Sequence, residues 1–191
     1  MNDQVKTGIP EKYNRIMELS EGMQFNMASD LYTGSLLKTL VASKQRGRFL
    51  ELGTGTGLAT AWIVAGMDEE SVLVTVENNE MLIDVARRNI LDKRVEFVLA
   101  DGYAWISNYR GAPFDFIFAD AMPGKYELFE ETIALLNPHG YYIIDDMLPQ
   151  PNWPAGHAEK VEAFLAALDR NEELILTRMN WSTGIVIAVK K

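Results

Sequence analysis

The chain has 191 residues, 48% of them apolar and 24% charged, which excludes disordered, collagenous and low-complexity classes. That length suits one domain, with roughly 70% of the unfolded chain's surface buried on folding. Eighteen basic side chains stand against 27 acidic ones, a formal charge of −9, and with no basic cluster such a chain repels phosphate backbones, so nucleic acid is not the expected partner.

Residues 1–47 read as a helical lead-in. Pro10 suits a first helical turn, and Tyr13, Ile16, Met17 and Leu19 lie near helical spacing. A second helix fits Thr33 to Ser43, and Gln24 to Asp30 reads as the loop between. From Arg48 onward strands and helices alternate. The first strand is Arg48 to Leu52, followed by the turn Gly53-Thr54-Gly55-Thr56-Gly57 and a helix from Leu58 to Met67. Strand two, Val72 to Val76, ends in Glu77, and a helix from Glu80 to Leu91 turns Met81, Leu82, Val85, Ala86 and Ile90 to one side. Strand three, Val95 to Leu99, ends near Asp101, before a short helix from Gly102 to Asn108. Strand four, Phe114 to Ala119, ends in Asp120, and a helix is expected from Tyr126 to Leu136. Strand five, Gly140 to Ile144, ends in Asp145 and Asp146, before a helix from Ala158 to Asn171. Glu173 to Arg178 and Gly184 to Val189 then follow as two strands with no helix between them.

Apolar strands alternating with helices predict an α/β fold, a doubly wound and mostly parallel seven-stranded sheet covered on both faces. The last connection is too short for a parallel crossover, so the sheet should finish in an antiparallel hairpin. The expected division is a helical extension or cap over 1–47 and a core over 48–191. No apolar run is long enough to span a bilayer, so no membrane partner is expected. Met1 to Gln4 lack a basic-then-apolar signal pattern. Cysteine is absent, which removes disulfides, thiolate zinc sites and cysteine nucleophiles and fits a cytoplasmic setting.

In open sheets of this kind ligands bind beyond the strand C-termini. The polar residues expected there are Glu51, Glu77, Asp101, Asp120, Asp145 and Asp146, all acidic. Gly53, Gly55 and Gly57 follow a strand and open a helix, where glycine permits a tight turn and the first N–H groups are free for an anion. The dinucleotide fingerprint wants Gly or Ala where Leu58 stands, and no Gly-Lys-Ser/Thr follows as in a phosphate-binding loop. Glu77 lies 24 residues after Gly53 and can accept hydrogen bonds from ribose hydroxyls. NAD and S-adenosylmethionine both carry such a ribose. NAD adds a pyrophosphate, which Glu51, Asp101 and Asp120 would repel; S-adenosylmethionine adds a sulfonium and an ammonium, which they would attract.

Glu51 to Gly57, Val74 to Glu77, Leu99 to Gly102 and Phe114 to Asp120 resemble, in order and spacing, the successive motifs of class I S-adenosylmethionine-dependent methyltransferases. Within that class the chain is most similar to the small O-methyltransferases related to catechol and caffeoyl-CoA O-methyltransferases. Phe25 to Asp30 resembles their pre-core loop, and Leu135 to Asp146 their strand-five motif. The resemblance implies a Rossmann-like methyltransferase fold that methylates a small hydroxylated acceptor, catechol-like or phenolic. It implies that Gly53 and Gly55 line the methionyl part of the donor and Glu77 holds the ribose. Asp101, Gly102 and Tyr103 would border the adenine, and Ala28 and Ser29 would meet the carboxylate end.

In metal-dependent members a divalent cation, usually Mg2+, binds two adjacent acceptor oxygens. The resemblance assigns it to Asp120, Asp145 and Asp146, with Asp146 where the family usually has Asn. It also implies a lysine general base after the strand-four Asp; Lys125 stands farther along than usual and either points inward or lies solvated at a helix start. Gln150 to Pro154 and Trp181 either wall the acceptor pocket or simply pack. His139 and His157 have no local partner for a histidine metal site, the methionines read as core filler, and Arg87, Arg88, Lys93 and Arg94 read as solvated. Relatives often dimerise through the N-terminal region, which makes a homodimer an assembly to test. The competing readings are an NAD(P)-dependent oxidoreductase and a non-catalytic cofactor-binding module.

Overall fold

A computed structural model describes residues 5 and 7–191. Met1 to Gln4 and Lys6 lie outside the described residues, and with them the reading of the N-terminus and the start of the 1–47 extension. Two helices lead in, α1 (Tyr13–Gly22) and α2 (Leu31–Ala42). They are followed by β1 (Arg48–Leu52), α3 (Leu58–Gly66), β2 (Val72–Glu77), α4 (Glu80–Asn89), β3 (Val95–Leu99) and α5 (Gly102–Asn108). The chain ends with β4 (Phe114–Ala119), α6 (Phe129–Ala134), β5 (Leu136–Ile144), α7 (His157–Arg170), β6 (Leu174–Met179) and β7 (Ile185–Lys190).

The seven strands form one sheet in the order β3-β2-β1-β4-β5-β7-β6. The pairs β1–β2, β1–β4, β2–β3 and β4–β5 are parallel. β7 inserts antiparallel between β5 and β6. The order reverses at β1 and β4, so the cleft beyond their C-terminal ends is where a doubly wound sheet takes its ligand.

Alternation along each strand sends side chains to opposite faces. Phe49, Leu73, Phe116, Phe118 and Ile143 pack under α2 and α3 through Leu37, Val41, Ala59 and Ile63. Leu50, Leu52, Ile117, Ala119, Tyr142 and Ile144 pack with Ile106 of α5, Ile133 of α6 and Val161, Phe164 and Leu168 of α7. α1 joins through Tyr13 and Ile16, which cluster with Trp62 and Ile90. No helix among the described residues is long and apolar enough to cross a membrane.

Four expectations need correction. The helix expected from Tyr126 to Leu136 is only Phe129–Ala134, because Pro123 to Leu128 is turn and Leu128 takes a left-handed φ of 57°. β5 starts at Leu136 rather than Gly140; Leu136 pairs with Phe114 before a register shift carries the strand to Tyr141. On the α4 segment Ala86 and Ile90 are buried as expected, but Ile83 is buried as well and Met81 is exposed. Arg94 is not solvated: it donates to the carbonyls of Met67 and Asp68 and to Asp92 and ties α3 to the start of β3.

Candidate active site

Three strand ends and two loops build the cleft. Gly53 donates its N–H to the Val76 carbonyl at 3.0 Å, while Asp120 donates its own to the Leu52 carbonyl at 2.9 Å. The glycine loop is thus pressed between the ends of β2 and β4. Gly53 has φ +99°, and a Cβ there would lie 2.7 Å from the Asp120 carbonyl oxygen. The loop, Phe25, Ala28, Ser29, Glu77, Asn78, Leu82, Asp120 and Ala121 enclose a cavity of about 260 Å³.

Glu77 spends much of its acceptor capacity on backbone. Its Oε2 takes the Gly55 N–H at 2.9 Å, and its Oε1 takes those of Asn78 and Asn79 at 3.0 Å each. A carboxylate offers about four acceptor sites, so about one remains, on Oε2, for a ligand hydroxyl. The carboxylate is held rigidly beside the glycine turn by the bonds that limit it. Gly102 and Tyr103 border an adjoining cleft, also of about 260 Å³, together with Gly53, Glu77 and Asn78. Asp101 lies outside these linings: it caps α5 by accepting the Ala104 N–H and is exposed.

Glu51 also lies off the rim. It sits on β1 beneath the glycine loop, fully buried. Thr60 and Thr75 both donate to its Oε2 at 2.6 Å, and its Oε1 has no partner. Burial pushes its carboxyl up to about 7, against the pull of those two hydroxyls.

On the far side of Asp120 a second cavity of about 480 Å³ opens between the pre-core loop, Met122, Tyr126, Trp153, Pro154 and His157. Met27, Ala28, Ser29, Asn78, Asp120 and Ala121 border both it and the glycine cavity. Gln150 and Trp153 line this second space, whereas Trp181 packs edge-on against Tyr32 at 5.4 Å and is not among its walls. The Tyr126 hydroxyl and His157 Nε2 lie 3.2 Å apart, with Trp153 tilted over the imidazole. Burial pushes the Tyr126 hydroxyl up to about 12 and holds His157 below its ordinary value.

Lys125 points inward and is 4% exposed. Its Nζ donates to the Asp145 carbonyl at 3.0 Å and lies 3.8 Å from Asp120 Oδ1 and 4.0 Å from Asp146 Oδ2. Ser29 donates to Asp120 Oδ2 at 3.2 Å. Asp145 Oδ1 accepts from the Asp146 N–H at 2.7 Å and from the Thr183 hydroxyl. Burial raises both the Asp120 and the Asp145 carboxyls, and each is pushed further by a neighbouring aspartate. Among the described residues no three acidic or imidazole side chains come together as a metal cage.

Sequence reading missed Thr183, Tyr126 and His157 as parts of the site. The polar turn Ser182-Thr183-Gly184 between two apolar strands was a usable signal for the first. Nothing local marks the other two, which meet only because α7 folds back over the turn after β4.

The fold defines a doubly wound α/β protein whose cleft lies beyond the ends of β1 and β4. The chain belongs to the methyltransferase domain family, whose model matches residues 50–147. It is 34% identical over 117 residues to a catechol O-methyltransferase of Mycobacterium tuberculosis, an alignment covering 59% of this chain and 53% of that protein. The chain therefore spans about half the length of that curated relative. The O-methyltransferase from Bacillus cereus, solved in complex with SAH, superposes with a TM-score of 0.80 at 24% identity, over 94% of this chain and 90% of that one. TomG of Streptomyces achromogenes, solved with SAM, gives 0.83 at 22% identity over 98% and 92%. These likenesses establish the Rossmann-like methyltransferase fold.

Proposed function

We propose that the chain is an S-adenosylmethionine-dependent methyltransferase acting on the oxygen of a small hydroxylated acceptor. The observation that carries this reading is the shared wall. A glycine-lined cavity and a larger, aromatic-walled cavity meet at Ser29, Asp120 and Ala121, so a donor in one and an acceptor in the other face each other. In this reading Glu77 receives a ribose hydroxyl, Gly102 and Tyr103 flank the adenine, and Gly53, Gly55, Ala28 and Ser29 surround the methionyl end. Asp120 in front of the loop favours a positively charged ligand. The B. cereus and TomG structures, solved with SAH and SAM, support the choice of donor, and the M. tuberculosis relative's name supports oxygen as the methylated atom.

When bound, the donor would supply an electrophilic methyl group, with Gly53, Gly55 and Glu77 holding it and the acceptor oxygen facing it from the other side of Asp120. The protein's contribution is alignment across the shared wall and exclusion of water from it. Magnesium has no part in this mechanism, because Asp120, Asp145 and Asp146 do not fit it as they stand. One oxygen of Asp145 is already committed to two donors, and the Lys125 ammonium lies between Asp120 and Asp146.

Calorimetric titration of the chain with S-adenosylhomocysteine and, separately, with NAD tests the reading. One equivalent of S-adenosylhomocysteine should bind and NAD should not. Binding of NAD alone would overturn it in favour of an oxidoreductase. Binding without methyl transfer to any phenolic acceptor would leave a cofactor-binding module.

A further inference from the structure

Lys125 lies among the same three aspartates that a divalent cation would need. Oxygen ligands hold Mg2+ or Ca2+ at about 2.0–2.6 Å. A divalent ion at that distance from Asp120 and Asp146 would share their oxygens with an ammonium 3.8 Å and 4.0 Å from them, so two positive centres would compete for, and repel each other over, the same carboxylates. The backbone explains how the lysine gets there. Gly124 has φ +85°, a Cβ on it would meet Leu52 Cδ1 at 2.5 Å, and its N–H bonds back to Glu127 at 2.8 Å. The turn is thereby folded down onto the end of β1, and the next side chain is delivered into the interior instead of to solvent.

We propose that the Lys125 ammonium is the built-in cation of the acceptor site. It offsets the Asp120 and Asp146 carboxylates in place of a metal ion and pairs with a single acceptor oxyanion. This rests on the methyltransferase reading only for what is transferred. It also narrows the acceptor. A metal ion offers neighbouring coordination positions and grips two adjacent oxygens. An ammonium is a compact donor with three N–H bonds. One of these is spent on the Asp145 carbonyl, and the carboxylates lie beyond hydrogen-bond reach. Two N–H bonds remain, but they carry a single positive charge, which balances one anionic oxygen and not two. The aromatic walls, Tyr126, Trp153 and His157, suit a flat ring behind it. The acceptor class is therefore a monohydroxylated aromatic, for which a second, adjacent hydroxyl brings no advantage.

Two measurements on the full chain test this, and the first needs no donor. Mn2+, an oxygen-seeking probe, is titrated while its free fraction is followed by electron paramagnetic resonance. The native chain should bind none up to about 1 mM, the weak end of carboxylate sites. The Lys125→Ser variant should bind one ion, and Lys125→Ser combined with Asp145→Asn should lose it. One Mn2+ bound by the native chain and lost in Asp120→Asn would overturn the proposal, whether or not the lysine variants fold. In the second measurement, methylation of monohydroxylated phenols should be unchanged by EDTA. Lys125→Met should lower it by about 10²–10³-fold, the range for removing one donor to a reacting oxyanion. Methylation confined to vicinal diols and abolished by EDTA would overturn the proposal. Failure of S-adenosylhomocysteine to bind would instead remove the donor reading and leave the manganese result decisive for the lysine.

Discussion

Replacing Glu51 by Gln isolates the cost of a charge sealed beneath the glycine loop. The carboxyl is fully buried and pushed up from its ordinary 4.5 to about 7. The folded chain therefore holds this proton more tightly than the unfolded chain does. By linkage the associated stability is complete below pH 4.5, falls as pH rises, and is gone above about 7. The interval between the two values corresponds to about 3 kcal/mol. Gln keeps an oxygen to accept from Thr60 and Thr75 but cannot ionise. Its free NH2 replaces the unpartnered Oε1, an unsatisfied group in either protein. The informative quantity is thus how the difference between the two proteins changes with pH. Urea unfolding at about pH 5 and again at about pH 8.5 should show Glu51→Gln gaining about 2.5 kcal/mol on the native chain between them, the rest of the interval having been lost below pH 5. Parallel pH profiles, constant to within about 1 kcal/mol, would refute the idea that Glu51 pays for its burial as a charged group.

Glu77→Gln should weaken S-adenosylhomocysteine binding by about 10–100-fold, because an amide has one accepting oxygen for two positions and either Gly55 and the ribose hydroxyl or Asn78 and Asn79 then face its NH2; calorimetry reads this directly, and affinity within threefold of native would count against Glu77 as the ribose ligand. Gly53→Ala should lose about 2–4 kcal/mol in denaturant unfolding, from a positive φ and a 2.7 Å approach to the Asp120 carbonyl; an unchanged midpoint would mean the loop can move away from β4. Trp153→Ala should raise the acceptor KM while leaving S-adenosylhomocysteine affinity unaltered, since Trp153 borders only the larger of the two facing cavities; steady-state kinetics with calorimetry separates the two effects.

The sheet was legible because strands and helices write their periods locally. Apolar runs of five or six residues, glycine after β1 and an acidic residue after most strands mark the parallel core. The short 179–184 connection marks the hairpin. What stayed hidden depends on where long polar side chains go once the chain is folded. Lys125 reads equally well as a solvated helix start, and only the turn at Gly124 against Leu52 sends it inward. Arg94 sits in a charged run that looks solvated, yet it finds backbone carbonyls left open at the end of α3. Glu51 shares its acidity with the rim residues, but its position on β1 turns it toward Thr60 and Thr75. Strand-end acids therefore separate by facing direction, which residue type alone does not record. The start of β5 was misread because Pro138 and Gly140 look like turn residues, whereas here they occupy an irregular strand entrance beside Phe114.

The last hairpin closes the site from the other end of the chain. Ser182 donates to Asp30, 152 positions away, and Thr183 donates to Asp145. β7, which follows, must slot between β5 and β6. On the ribosome the glycine turn and the first five strands can be laid down while both of these clamps are still unsynthesised. The pre-core loop beside both cavities and the Asp145 side chain are thus fixed by residues that follow every other part of the cleft in the chain, and both walls are complete only when β7 lies in the sheet.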